Sequence, residues 1–384
     1  MTALALYIHW PFCLAKCPYC DFNSHVRAGV DIDLWQAALL ADLAHEAALT
    51  PGRRLGSIFF GGGTPSLMPP ALVARLIEAA AQHWAFDPAI EITLEANPSS
   101  VEAANFAALA GAGINRVSLG LQALDDQTLH FLGRLHNAAE GLAALDVAQR
   151  HFARVTFDLI YARPGQTPAM WAAELGRALA FGTGHLSLYQ LTIEPGTRFA
   201  TLVREGTLTP MDDDAAADLF AQTREMTDAA GLPAYEVSNH ARAGQESRHN
   251  LTYWRYGDYA GIGPGAHGRR LGQATVRHRK PENWLAAIDR AGHGLAETRT
   301  LGPGEQASEA LLMGLRLREG IDPAAIAARF GFAPDSLIDA AKARFYSDLG
   351  LIDQTPDRLT VTPQGMPLLD ALLGELVPAA LVTA

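Results

Sequence analysis

Cysteine is nearly missing from this chain: there are three in 384 residues, all within the eight-residue stretch from Cys13 to Cys20. Three thiols leave one over in any disulfide scheme, so a stapled secreted scaffold is excluded, and a tight cluster in a reducing compartment more often binds metal. No apolar run reaches the roughly 18 residues needed to span a bilayer. Met1 to Trp10 lacks the basic and apolar regions of a secretory signal, so a cytoplasmic protein is expected, with any membrane contact peripheral. Positive charge is also short: the formal net charge of -11 favours solubility and argues against wholesale nucleic-acid binding. No internal repeat or low-complexity linker is evident. What remains is ordinary globular material, 49% hydrophobic and 18% charged, long enough for one large domain and a smaller one.

The cysteines sit in Cys-Leu-Ala-Lys-Cys-Pro-Tyr-Cys. Spacings of four and three would put three sulfurs on one face of a helix. Pro11 and Pro18 argue against that, since Pro18 pushes Cys17 out of the helical region, and a loop is expected instead. A structural zinc site closes with four protein ligands, so zinc would need His9 or His25 as well. An iron-sulfur cluster held by three cysteines needs no fourth protein ligand and leaves one iron open to exchange.

Around this loop, short β-rich runs alternate with Ala- and Leu-rich helical runs. Strands are expected at Leu4 to His9, Ser57 to Phe60, Ile90 to Glu95, Arg116 to Leu121, Val155 to Tyr161 and His185 to Thr192. Helices are expected at Leu34 to Leu49, Ala71 to Trp84, Val101 to Ala110, Ala138 to His151 and Met170 to Phe181. Six such units in succession mean parallel strands with crossover helices, in a barrel or a doubly wound sheet. The unusual polar groups fall towards strand carboxyl ends, the ligand face of both architectures. The turn Gly61 to Thr64 lacks the Lys-Ser or Lys-Thr of a phosphate loop, so its glycines serve close approach to a ligand or a tight turn. Gly263 to Gly268 matches G-x-G-x-x-G formally, but Pro264 lies inside it, and neither a buried strand before it nor a helix after it is expected.

Beyond a helix from Asp213 to Ala230 and a short strand at Tyr235 to Val237, the window from His240 to Arg290 is locally basic. It holds nine Lys or Arg residues against four acids, interleaved with Tyr253, Trp254, Tyr256 and Tyr259 and with four histidines. Aromatics that stack, arginines that pair with carboxylates and imidazoles that ligate iron suit a flat, anionic, metal-binding ligand, although a solvated loop would look similar. After Gly302, a helix, two short strands at Leu349 to Ile352 and Leu359 to Thr362, and a helix from Met366 to Leu376 suggest a winged-helix-like cap or docking module. Expected boundaries are therefore 1-240 for the barrel, 241-300 for a basic, aromatic-rich extension, and 301-384 for the C-terminal domain.

The C-x3-C-x2-C spacing with Tyr19 before the last cysteine, at the end of the first strand and followed by Gly-Gly-Gly-Thr-Pro, resembles the radical S-adenosylmethionine superfamily. The strings from Tyr7 to Phe22, Arg116 to Gln122, Leu132 to His136 and Phe157 to Tyr161 resemble its oxygen-independent coproporphyrinogen oxidase group, and the likeness covers nearly the whole chain. The decarboxylating oxidases carry a further cysteine two residues after the third and an extension before the motif. Here Phe22 stands in that place, and His249-Asn250-Leu251-Thr252-Tyr253-Trp254 matches the H-N-x-x-Y-W string of the heme-chaperone branch.

The resemblance implies a partial parallel (β/α)6 barrel, with Cys13, Cys17 and Cys20 holding a 4Fe-4S cluster whose open iron takes the amino and carboxylate groups of S-adenosylmethionine. It implies Tyr7, Gly62, Gly63 and Thr64 bordering that cofactor, with Glu95, Gln122, Arg134 and Asp158 about its ribose and amino-acid ends. Heme is implied as cargo, with His249 as ligand and arginines of the basic stretch on its propionates, for delivery to a heme-requiring acceptor, a membrane-bound one included. The alternative is an anaerobic coproporphyrinogen dehydrogenase sharing the same cluster and cofactor pocket; a zinc-stabilised barrel is a third reading. The family usually continues the fifth strand as Gly-Leu-Pro-Gly, whereas this chain has Ala162-Arg163-Pro164-Gly165.

Overall fold

The computed structural model describes residues 3–27, 29–378 and 381. The six expected strands are β1 (Leu4–Trp10), β2 (Arg54–Gly62), β3 (Ala85–Ala96), β4 (Arg116–Gln122), β5 (Arg154–Tyr161) and β6 (His185–Gln190), paired in that order and all parallel. Near-continuous burial along β1, whose Leu4, Ala5, Leu6 and Ile8 are fully buried, reflects a strand covered on both faces. Those helices begin where the sequence supplies caps. Asp31 accepts from Leu34 N–H ahead of Ile32–Leu49, Asn137 and Glu140 form a reciprocal capping box on Ala138–His151, and Thr167 with Pro168 opens Pro168–Ala180.

Three expectations about elements change. Strand β3 starts at Ala85, because Arg54 and Leu55 pair with Ala85 and Phe86 before a register break that accommodates Pro88. The helix expected over Val101 to Ala110 is two short ones, Ser100–Ala103 and Phe106–Gly111, separated at Ala104 and Asn105. Residues 235–237 form a bend; the strand lies at Asn239–Ala241 (β7), antiparallel to β6.

The stretch 241-300 is not a separate extension, because its strands are hydrogen-bonded into the same sheet. Here β8 (Tyr259–Ile262) runs parallel to β1 on the side away from β2. Strands β9 (His267–Arg270), β10 (Gln273–Arg277) and β11 (Leu295–Thr300) continue antiparallel from it. Among the described residues one sheet therefore holds eleven strands, in the order β11-β10-β9-β8-β1-β2-β3-β4-β5-β6-β7. A buried strand, β8, does precede the Gly263 to Gly268 run, contrary to expectation, but a strand rather than a helix follows, so no dinucleotide-binding turn forms. The chain is small-residued there because it passes close to its neighbours: a Cβ on Gly261 would lie 2.0 Å from the His267 carbonyl oxygen, and one on Gly263 2.3 Å from that of His9.

Four of the nine local positive charges are engaged within the protein. Asp42 and Glu46, one turn apart on Ile32–Leu49, are fully buried and face Arg277 and Arg270. Arg277 Nε donates to Asp42 Oδ2 at 2.7 Å and its Nη2 to Glu46 Oε1 at 2.9 Å. Asp42 also accepts Gly263 N–H, Gly294 N–H and the Trp284 indole N–H. Arg269 lies 3.5 Å over the Tyr256 ring, and Arg255 pairs with Glu319. Arg269, Arg270 and Arg277 are buried and hold the fold together, and Arg255 is engaged at the surface by Glu319.

A second core belongs to the C-terminal module, built from Pro303–Gly314, Pro323–Phe330, Ala340–Asp348, the hairpin β12 (Ile352–Thr355) and β13 (Arg358–Val361), and Leu369–Leu376. Phe220 and Val237 of the barrel pack against that core, so the module rests on the large domain. Among the described residues no helix is long and apolar enough to cross a membrane.

Candidate functional site

The cysteine loop leaves β1 and is tied to the glycine turn after β2 by backbone bonds, Gly63 N–H to the Trp10 carbonyl at 2.7 Å and Thr64 N–H to that of Phe12 at 2.8 Å. A Cβ on Gly63 would stand 2.7 Å from the Phe12 oxygen, and Gly62 has φ +115, so both positions need glycine. As expected, the cysteines lie outside any helix: Cys13 ends the two-residue strand Phe12–Cys13, paired with His25–Val26, Cys17 and Cys20 follow in a loop, and all three line one cleft at the carboxyl ends of β1 to β5. Thr64 Oγ1 donates to Cys13 Sγ at 3.5 Å, and Arg134 Nη1 to Cys17 Sγ at 3.3 Å. Burial pushes the Cys13 and Cys20 thiols up.

Among the described residues no three His, Cys, Asp or Glu side chains form a group that could hold a metal ion. His9, a candidate fourth zinc ligand, has both ring nitrogens engaged, Nε2 with the Asn23 carbonyl oxygen at 2.9 Å and Nδ1 with the Tyr7 hydroxyl at 3.0 Å. A cluster distributes its ligands over several irons and does not require three sulfurs to converge on one point. Three partly exposed thiols beside a turn where added Cβ atoms would clash fit such a group.

Gly62, Gly63, Thr64, Glu95, Gln122, Arg134 and Asp158 line the same cleft. Glu95 accepts the Gly62 N–H at 3.1 Å, and burial, reinforced by the nearby Asp158, pushes its carboxyl up to about 8. Asp158 is pushed up to about 6 by burial, opposed by hydroxyls of Ser187 and Ser118. Two half-buried carboxyls facing a cleft suit a ligand that brings hydroxyl donors or positive charge. Gln122 ends β4 in the left-handed region, φ 68, a strained conformation for glutamine. Arg134 Nη2 donates to Asn97 Oδ1 at 2.6 Å and to the Gly120 carbonyl at 3.0 Å. Together with its bond to Cys17, this puts the guanidinium beside the cysteine loop.

Two expected residues lie elsewhere. Tyr7 faces a neighbouring cleft, which shares Phe22, Gly62 and Glu95 with the first. His249 is 2% exposed on the short helix Arg248–Trp254, with Nδ1 3.0 Å from Ser57 Oγ and Nε2 2.7 Å from the Tyr253 hydroxyl. Burial and the charge of Arg116 push it down to about 3. Both ring nitrogens are engaged, so His249 offers no free lone pair to iron. Ala162 stands in the left-handed region, φ 56, where the family's usual glycine would be unstrained, and Arg163 turns away to pair with Glu174.

Asn97 escaped the sequence reading as a site residue. It bridges Arg134 and Thr64, its Nδ2 donating to Thr64 Oγ1 at 3.2 Å, and its place two residues beyond Glu95 on the same strand end was the available signal. Asn23 carried no such signal. Its side chain donates to the carbonyls of Pro264 at 2.9 Å and Arg279 at 3.0 Å, far apart in sequence.

The profile of the radical SAM superfamily matches residues 7–175, and that of the HemN C-terminal domain residues 301–368. The chain is 36% identical over 386 residues to heme chaperone HemW of Escherichia coli, covering 97% of this chain and 98% of that protein. It is 37% identical over 379 residues to heme chaperone HemW of Mycobacterium tuberculosis, covering 97% and 94%. It is 43% identical over 329 residues to the mitochondrial radical S-adenosyl methionine domain-containing protein 1 of Mus musculus, covering 83% and 74%. The solved structure of coproporphyrinogen III oxidase (HemN) from Escherichia coli superposes with a TM-score of 0.82 over 97% of this chain and 89% of that one, at 23% identity, a likeness of fold. With the cysteine loop at the end of β1, the parallel six-stranded core and relatives matched along nearly their full length, this chain belongs to the radical SAM superfamily and, within it, to the HemW family.

Proposed function

We propose that this protein is a heme chaperone that carries a 4Fe-4S cluster with S-adenosylmethionine and hands heme to a heme-requiring acceptor, a membrane-bound one included. The observation that carries this reading is end-to-end similarity to proteins named as heme chaperones, at 36% and 37% identity. Phe22, which is 61% exposed and lines both clefts, supports it by standing where the oxidases have another cysteine. The superfamily implies the cluster and S-adenosylmethionine; Cys13, Cys17 and Cys20 would hold the cluster, which when bound supplies an open iron for the amino and carboxylate groups of S-adenosylmethionine.

This chain's own residues would then do the following. The glycine turn lets a ligand approach the backbone, and Glu95 and Asp158 meet its hydroxyls or its positive charge. Gln122 adds an amide at the cleft wall, and Arg134 steadies Cys17 and Asn97. The fold likeness to HemN favours a second reading, coproporphyrinogen dehydrogenation in the same cleft.

One experiment separates the two. Protein reconstituted anaerobically is titrated with heme at the Soret band, mixed with an apo-hemoprotein, and assayed for protoporphyrinogen. Saturable heme uptake with transfer and no protoporphyrinogen is expected. Absence of heme uptake, or sustained protoporphyrinogen formation, overturns the chaperone reading.

A further inference from the structure

The geometry points to the second cleft as the place where heme is held, with His267 rather than His249 as its axial ligand. This rests on the heme-chaperone reading above and names the site that reading requires. The cleft holds about 450 Å³, within the roughly 300–1,000 Å³ common for ligand sites. Its wall carries Tyr7, Phe22, Tyr253 and Tyr259, whose ring faces suit a flat, largely apolar macrocycle. His267 opens β9 at the rim, is exposed, and among the described residues no hydrogen bond engages its ring. Of the two cleft histidines, His267 is thus free to ligate, while both nitrogens of His9 are held by Asn23 and Tyr7.

Charge is placed to match. Arg279, exposed at the same cleft, offers a guanidinium to a propionate, unlike the arginines spent on Asp42 and Glu46. The aromatic wall is set in advance. Tyr253 and Tyr259 meet edge to face at 4.4 Å between ring centroids, and Arg269, two residues beyond His267 along the strand, lies 5.4 Å over Tyr259 from its other neighbour Tyr256. A ligand at the rim also suits cargo that must leave, since the iron-imidazole bond can exchange to an acceptor without unpacking the core.

The cleft is tied to the cysteine loop through Asn23, three residues beyond Cys20. Its amide holds the Pro264 carbonyl ahead of His267 and the Arg279 carbonyl, and a Cβ on Gly265 would lie 2.3 Å from its nitrogen. Ordering of the cysteine loop by the cluster therefore bears directly on the two residues that would grip heme.

Purified full-length protein is titrated with hemin, and the ferric and ferrous-CO spectra are compared for wild type, His267→Ala, His249→Phe and Arg279→Ala. Circular dichroism verifies folding, and added imidazole is used to replace the missing ring. His267→Ala is expected to shift the Soret maximum and weaken binding about tenfold or more, each tenfold being about 1.4 kcal/mol. Imidazole restores its spectrum, while His249→Phe keeps the wild-type maximum. A folded His267→Ala with the wild-type spectrum and affinity overturns the ligand assignment and leaves the chaperone reading standing; a wild type that takes up no hemin overturns both.

Discussion

Replacing Gly63 by alanine tests whether the glycine turn sets the geometry of the cysteine loop. The new Cβ would lie 2.7 Å from the Phe12 oxygen and 2.9 Å from its carbonyl carbon and nitrogen. These are backbone atoms next to Cys13, held by the bonds from Gly63 and Thr64, so relief requires the loop itself to move. Such overpacking costs about 1–3 kcal/mol. The control is Gly165→Ala, where φ is +73 and nothing lies within 4 Å of the added atom. Left-handed alanine there costs roughly 1–2 kcal/mol without touching the site. The two variants should thus lose comparable stability in urea unfolding of the cluster-free protein, yet differ in cluster loading. After anaerobic reconstitution, Gly63→Ala should retain clearly less iron and sulfide per chain, with weaker brown absorbance, while Gly165→Ala stays near wild type. Full loading of Gly63→Ala, or equal loss in both variants, would refute the reasoning, because loading would then follow global stability rather than loop position.

Three further outcomes are expected. Ala162→Gly should stabilise the protein by about 1 kcal/mol, because the native φ of 56 is strained for alanine and open to glycine; a lower unfolding midpoint would count against that account. Arg277→Met leaves Asp42 and Glu46 buried without their shared cation and should cost about 3–5 kcal/mol in urea unfolding, with a change below about 1 kcal/mol as the contrary result. Glu95 holds its proton in the folded state up to about 8, whereas the unfolded chain releases it near 4.5. The native state therefore binds more protons across that interval, and stability falls as pH rises towards 8. Buried histidines such as His9 and His249 still titrate around pH 6.5 in the unfolded chain and add a slope of opposite sign, but they do so equally in wild type and in cluster-free Glu95→Gln; wild type should therefore lose stability relative to the variant between pH 6.5 and 8, and identical slopes contradict the raised carboxyl.

The alternation of strands and helices was legible because each signal is local. The core strands combine buried apolar residues with turn formers at their ends, and the helices carry their own caps, as with Asp31 and Asn137. Strand β8 was not legible: in the four residues Tyr-Ala-Gly-Ile the central Ala and Gly break the β-rich signal of the flanking Tyr and Ile, and the glycine occurs there because a neighbouring backbone passes within contact distance. The basic stretch misled for a related reason. Counting charge along the chain cannot reveal that Arg270 and Arg277 face two carboxylates more than two hundred residues earlier.

The sequence by itself determined the make-up of the cysteine loop. Three cysteines, two prolines that keep them out of a helix, and Phe22 where a fourth cysteine would stand are facts of order along the chain, and local backbone preferences suffice to read them. Only the tertiary structure decided which polar side chains remain free. His249 and His267 are alike as letters, but one is sealed between Ser57 and Tyr253 and the other stands open on an aromatic cleft. That difference comes from burial and partners brought together across the sheet, which no local pattern encodes.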